Sequence, residues 1–223
     1  MRKMTSDFVL GVNTAFLEKP ENFRLWYEKM PSYRKEKIDT IRPLNSKNLS
    51  LGAGIVLLNG LSQWGISFDE ISFAENGKPF IKGADGNRFN LSHSGTLAVG
   101  AFSDAAVGID VEKIKTFGTR LVNFVYNENE ITYIKNRSNS EEEENTLYTR
   151  LWTMKESVMK YYGQGLSMDP RKLYIDQEHD NQVFFEGMNL PDIYFTGYEY
   201  EGHCITVCSG KKSFSDEIEF VQI

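Results

Sequence analysis

The chain has 223 residues, a formal charge of −6, and 40% apolar and 25% charged side chains. That length suits one large domain or two small ones. Fifteen Phe and eleven Tyr give ample core material, which argues against a disordered chain. The acidic balance disfavours nucleic-acid binding through bulk positive charge, yet allows a local basic pocket for a small anion.

Residues 1–16 carry early charge, are interrupted by Asp7 and Asn13 and show no cleavage-site pattern, so they do not read as a secretory leader. Alternation over 7–16 predicts a first strand. Phe23, Trp26, Tyr27 and Met30 predict one apolar face of a helix over 21–41, which Pro31 divides in two. Arg34, Lys35, Glu36 and Lys37 line the second piece. A long apolar helix follows over 46–64, with Ser46 as N-cap and with Gly52, Ala53 and Gly54 permitting close packing. Its most apolar stretch, 51–61, is shorter than the roughly 20 residues that span a bilayer. The expectation is a cytoplasmic protein with no membrane segment.

Strands are expected at 70–74, 79–82 and 89–92. A hairpin of 97–102 with 107–112 is then expected about a turn at 103–106. Asn127 with Glu130 has capping-box spacing and opens a helix to about 136. Glu141 to Glu144 favour the first turn of a helix that runs to about 162 and stops at Gly163. Strands at 172–176, 182–186, 192–200 and 203–208 complete the pattern. Cys204 and Cys208 would share a strand face about 13 Å apart, beyond the ~7 Å Cα separation of a disulfide. With His203 they make a poor zinc set. The element order predicts two α+β halves, residues 1–105 and 106–223, with no repeat visible in the sequence itself.

Three clusters could carry chemistry. In Val107-Gly108-Ile109-Asp110-Val111-Glu112, strand alternation puts Asp110 and Glu112 on one face, about 7 Å apart. Together they could hold a hard cation, and equally they could form the solvated face of an edge strand. In Trp152-Thr153-Met154-Lys155-Glu156-Ser157-Val158-Met159-Lys160, Glu156 and Lys160 are i,i+4 neighbours, which also fits a surface ion pair. Phe89-Asn90-Leu91-Ser92-His93-Ser94-Gly95 offers hydroxyls, an imidazole and backbone N–H groups to an anion. Neither a phosphate-binding Gly-rich loop nor a Gly-x-Ser-x-Gly elbow is present.

In this order, and with Gly77-Lys78-Pro79, the clusters resemble the Sfp-type 4′-phosphopantetheinyl transferases. The resemblance runs from about Pro31 to Leu173 and rests chiefly on Gly-Ile-Asp-Val-Glu and Trp-x-x-Lys-Glu at this separation. It implies a pseudo-dimer of two similar α+β halves with the active site in the cleft between them. The implied activity transfers the 4′-phosphopantetheine arm of coenzyme A to a serine of an apo acyl or peptidyl carrier protein. Mg²⁺ is the implied cofactor and adenosine 3′,5′-bisphosphate the released product.

By the same resemblance Asp110, Glu112 and Glu156 bind Mg²⁺, Glu156 is the base, acting directly or through a metal-bound water, and Lys160 serves the leaving phosphate. Ser92, His93 and Lys155 are further ligand contacts, Lys78 and Pro79 hold the adenine side, and Arg34 and Lys37 meet the 3′-phosphate. The chain departs from many relatives at Ser46-Lys47-Asn48-Leu49, where an arginine is usual and Lys47 is the nearest basic substitute. Arg120, Leu121, Phe124 and Val125 are a candidate carrier-docking stretch, or else part of a buried helix. The expected form is a monomer that binds no nucleic acid. The rival readings are a non-catalytic coenzyme-A or carrier-binding module and a Mg²⁺-dependent phosphohydrolase.

Overall fold

The computed structural model describes residues 7–74, 77–83 and 88–222. By contact the chain forms two units, Met1–Ala106 with Phe214–Ile223, and Val107–Ser213. The last ten residues group with the first unit because a short strand there, β12 (Glu219–Phe220), pairs in parallel with the first strand of the chain.

The first unit begins with β1 (Phe8–Asn13). Asn13 ends it early by capping a 3-10 turn, Thr14–Glu18, through its side chain. Helices α1 (Pro20–Glu28) and α2 (Ser32–Thr40) follow, separated at Pro31 as the sequence predicts. Then come α3 (Leu44–Gln63), β2 (Ile71–Phe73), β3 (Pro79–Ile81), β4 (Arg88–Ser94) and β5 (Leu97–Ser103). The N-cap of α3 is Pro43, not Ser46, which lies inside the first turn. Proline is tolerated there because the first helical N–H groups have no intrahelical acceptor.

The second unit runs β6 (Val107–Lys113), α4 (Thr119–Val125), α5 (Glu128–Arg137), α6 (Glu141–Tyr162), β7 (Leu173–Asp176), β8 (Gln182–Phe185), β9 (Met188–Leu190), β10 (Tyr194–Tyr200) and β11 (His203–Ser209). The capping box Asn127/Glu130 forms with both hydrogen bonds. The side chain of Ser140 caps α6, its four glutamates fill the first turn, and Gly163 ends it at φ +70°. Strands β9 and β12 were not expected from the sequence.

The two units have one topology. In the first, β1 and β4 flank β5, all antiparallel, and α3 packs on β1 and β5. In the second, β6 and β10 flank β11, all antiparallel, and α6 packs on β6 and β11. Each unit also carries a small sheet, β2–β3 or β7–β8–β9, between its long helix and its last strand pair. The chain is therefore α+β, with a duplication that shows in topology and not in sequence.

This arrangement corrects the expected hairpin of 97–102 with 107–112. β5 pairs with β1 and β4, while β6 pairs with β11. The hairpin partner of β5 is β4, joined through Gly95-Thr96 with Gly95 at φ +61°.

The core of the first unit centres on Phe102, fully buried and ringed by Phe8 at 4.9 Å, Trp64 at 5.4 Å and Phe89 at 6.2 Å. Gly60 of α3 makes room for it, since a Cβ there would overlap the ring. Truncating Phe102 leaves a cavity on all sides, so Phe102→Ala should cost about 3–5 kcal/mol. Urea unfolding measures this, and a loss below about 1 kcal/mol would contradict the placement.

Candidate active site

In β6, residues 107–111 are all buried, including Asp110 at 3% exposure. This excludes the solvated edge-strand alternative for that carboxylate. The cover over Gly108 and Asp110 is α6. A row of small residues on α6 allows a close approach to the sheet. Thr153 Oγ1 lies 2.7 Å from Thr206 Oγ1 on β11, and Thr206 stands opposite Asp110 in register. At Gly108 a Cβ would overlap the Ser157 carbonyl oxygen and come within 2.6 Å of the Tyr161 nitrogen. Both are backbone atoms and cannot swing aside.

This seam brings Glu156 and Lys160 to the strand carboxylates. Lys160 Nζ donates to Asp110 Oδ1 at 2.6 Å. Burial first, and then the Asp110 carboxylate, raise the pKa of Glu156 above the usual carboxylate range. Lys160 opposes that shift and Glu112 adds a further push. Glu112 is half-buried and pairs with Lys115 at 3.8 Å. Asp110 and Glu112 thus both act on Glu156, while Lys160 pairs with Asp110. Among the described residues no three His, Cys, Asp or Glu side chains form a ready ion cage.

Lys155 requires a correction. It was expected to meet a ligand phosphate, yet it is fully buried. Its ammonium donates to Glu130 Oε2 at 2.6 Å, to the Pro170 carbonyl at 2.7 Å and to the Val125 carbonyl at 3.1 Å. These three acceptors match the three donors of an ammonium. Burial lowers the pKa of Lys155 and raises that of Glu130, and each ion offsets part of the other's desolvation. Glu130 was legible in the sequence only as a cap.

In the first unit, Arg34 is 7% exposed and its guanidinium donates to the Ser50 carbonyl. Among the described residues Arg34 Nε, Tyr33 Oη, Asn48 Oδ1 and Ser50 Oγ are buried without hydrogen-bond partners. Burial lowers the pKa of Arg34, and burial followed by the Arg34 charge lowers that of Lys37. Among the described residues neither cation has an ion-pair partner. Buried polar groups normally find partners, and the donors among these, Arg34 Nε and the Tyr33 and Ser50 hydroxyls, together with Lys37 are of the kind that receives an anion. Tyr33, Asn48 and Ser50 had no sequence signal beyond their neighbourhood.

The Tyr33 ring packs edge-on against Phe73 at 5.1 Å, and Phe73 stands opposite Pro79 in the β2–β3 pair. The β2–β3 pair thus reaches α2 through Phe73. Gly77 turns at φ +76°, and Asn76 lies outside the described residues. On β4, Ser92 is buried and the next residue, His93, is exposed on the opposite face. On α4, Leu121 and Phe124 are exposed at 39% and 59%, while Val122 and Val125 are buried. Val125 therefore drops out of the expected docking stretch. Arg120 and Arg171 flank the exposed pair around an open cavity of about 720 Å³.

The description of the 4′-phosphopantetheinyl transferase superfamily matches residues 106–208, a span that closely follows the second unit. Over most of its length the chain is similar to the Sfp-type 4′-phosphopantetheinyl transferases. It is 29% identical to the 4′-phosphopantetheinyl transferases ffp and Sfp of Bacillus subtilis over 210 residues, which is 92% of this chain and 86% of each relative. It is 32% identical to the 4′-phosphopantetheinyl transferase gsp of Aneurinibacillus migulanus over 146 residues, 63% of this chain and 59% of that one. The family match thus covers the unit in which Asp110, Glu112, Glu156 and Lys160 converge.

Gly108→Ala should force α6 off β6. Overpacking of this kind costs about 1–3 kcal/mol, so the variant should fold with a lower thermal midpoint. An unchanged midpoint would show that the helix does not rest on the strand backbone.

Proposed function

We propose that this protein transfers the 4′-phosphopantetheine group of coenzyme A to a serine hydroxyl of an apo acyl or peptidyl carrier protein. Adenosine 3′,5′-bisphosphate is released, and Mg²⁺ is the metal cofactor. The observation that carries this reading is the convergence of Asp110, Glu156 and Lys160 in a chain similar to these transferases. The three carboxylates supply oxygen donors only, which suits a hard cation that keeps waters and shares phosphate oxygens. Asp110, Glu112 and Glu156 are the residues that would hold Mg²⁺. When bound, the ion neutralises charge on the pyrophosphate.

The chain's own groups do the rest. Glu156 is the general base. It takes the serine proton as the serine oxygen bonds to phosphorus. Lys160 meets the charge that builds on the departing bisphosphate as the phosphoanhydride bond breaks. In the first unit, Arg34 and Lys37 take the 3′-phosphate, with Arg34 held at Ser50. Lys78 and Pro79 hold the adenine side, and Ser92 and His93 are further contacts. The exposed Leu121 and Phe124, flanked by Arg120 and Arg171, suit a carrier segment that is apolar and acidic.

Intact-protein mass spectrometry of an apo carrier with coenzyme A and Mg²⁺ tests the reading. The expected result is a gain of one phosphopantetheine mass, lost with EDTA and lost in folded Asp110→Ala and Glu156→Ala. Near-normal transfer by either folded variant would remove the site assignment. Coenzyme A binding without transfer, across several carriers, would favour a non-catalytic module.

A further inference from the structure

We propose that Lys155 and Glu130 form a positioning strut that fixes the rotation of α6, and thereby aims Glu156 and Lys160 at Asp110. This inference rests on the catalytic reading above. The strut joins more of the unit than any other ion pair described. From α6, Lys155 reaches the last residue of α4 through Val125, α5 through Glu130, and the segment before β7 through Pro170. The Glu130 carboxylate accepts in addition from the Asn127 nitrogen at 3.1 Å and from the Ile175 nitrogen of β7 at 3.3 Å. Both side chains are buried, at 0% and 1% exposure.

Stability alone does not account for such a pair. Apolar side chains of the same volume usually serve a buried site as well or better, because both charges must be stripped of water. What an ammonium adds is direction. Three acceptors on three separate elements fix where the Lys155 side chain points, and each residue of a helix turns about 100° from the last. Fixing residue 155 therefore fixes 156, and with it Lys160 one turn on. The seam on the other side of α6 is made of Gly108, Ser157, Thr153 and Thr206. Small side chains set how close the helix lies and resist its rotation only weakly. The seam thus sets distance and the strut sets angle.

The test uses the full chain carrying Glu130→Gln with Lys155→Met, which removes both charges and leaves neither ion buried alone. Circular dichroism and the thermal midpoint establish the fold. The expected result is a fall in kcat of about 10- to 100-fold, the scale of a 1 Å misplacement, with the KM for coenzyme A and its calorimetric affinity within about twofold of wild type. An unchanged kcat in the folded variant would overturn the proposal. A raised KM with kcat retained would also overturn it, by showing that Lys155 touches the ligand.

If the double variant does not fold, Lys155→Arg keeps the charge but cannot reproduce the three-acceptor geometry. It should lower kcat with KM unchanged, and wild-type kcat there would equally sink the strut. If wild type modifies no carrier, the catalytic reading fails on its own. Hydrogen exchange over residues 152–160 then decides the strut. Exchange about tenfold faster in either folded variant supports it, and unchanged exchange overturns it.

Discussion

At Gly108 the absence of a side chain lets the backbone of α6 rest on the backbone of β6. The polar chemistry of the second unit is arranged around that seam. A strand covered so closely has no solvent for its inward carboxylate, and Asp110 meets Lys160 instead. Glu156 on the same helix is held in the field of Asp110 and Glu112, which with burial makes it reluctant to ionise. The free energy that brings these charges together comes from the apolar packing around them. That packing includes Leu151, Val158 and Met159 on the helix, with Cys208 on β11 in the same core cluster.

Two lysines five residues apart on α6 have opposite fates. Lys160 keeps about a quarter of its side chain exposed and faces Asp110 where a ligand could reach it. Lys155 is sealed among α4, α5 and the segment before β7, with every proton donated inside the unit. The difference follows from helix geometry. Glu156 and Lys160 are stacked one turn apart on one face. Lys155 lies at i−3 and i−4 from Val158 and Met159, on the face that enters the core cluster.

That placement was legible in the sequence and was overruled by the charge. Leu151, Lys155, Val158 and Met159 form an apolar stripe with one lysine in it, and such a lysine needs a buried partner. The partner, Glu130, could not be found from spacing, because nothing local links it to residue 155. Most helix limits were readable, since Pro31, the Asn127/Glu130 box and Gly163 mark them by short-range chemistry, whereas the start of α3 was misplaced at Ser46 and α4 was read only as an alternative. Strand partners were less readable. Val107 to Glu112 follows Leu97 to Phe102 after a short link and so looks like its hairpin mate, yet pairing is decided by sheet neighbours far away in sequence, here β11. The shared topology was not legible because the two units bring helix to sheet with different residues. In the first the glycine is on the helix, Gly52 against the Thr14 and Ala98 side chains, and in the second it is on the strand, Gly108 against the Ser157 backbone.

In the function proposed here, α6 seated on β6 gives Asp110 and Glu156 one divalent cation to hold beside coenzyme A. Electron paramagnetic resonance of Mn²⁺, titrated into wild type and Asp110→Asn with coenzyme A present, tests it most directly. The prediction is one bound Mn²⁺ per wild-type chain and at least a tenfold weaker site in the variant. Equal Mn²⁺ affinity in the two proteins would contradict it.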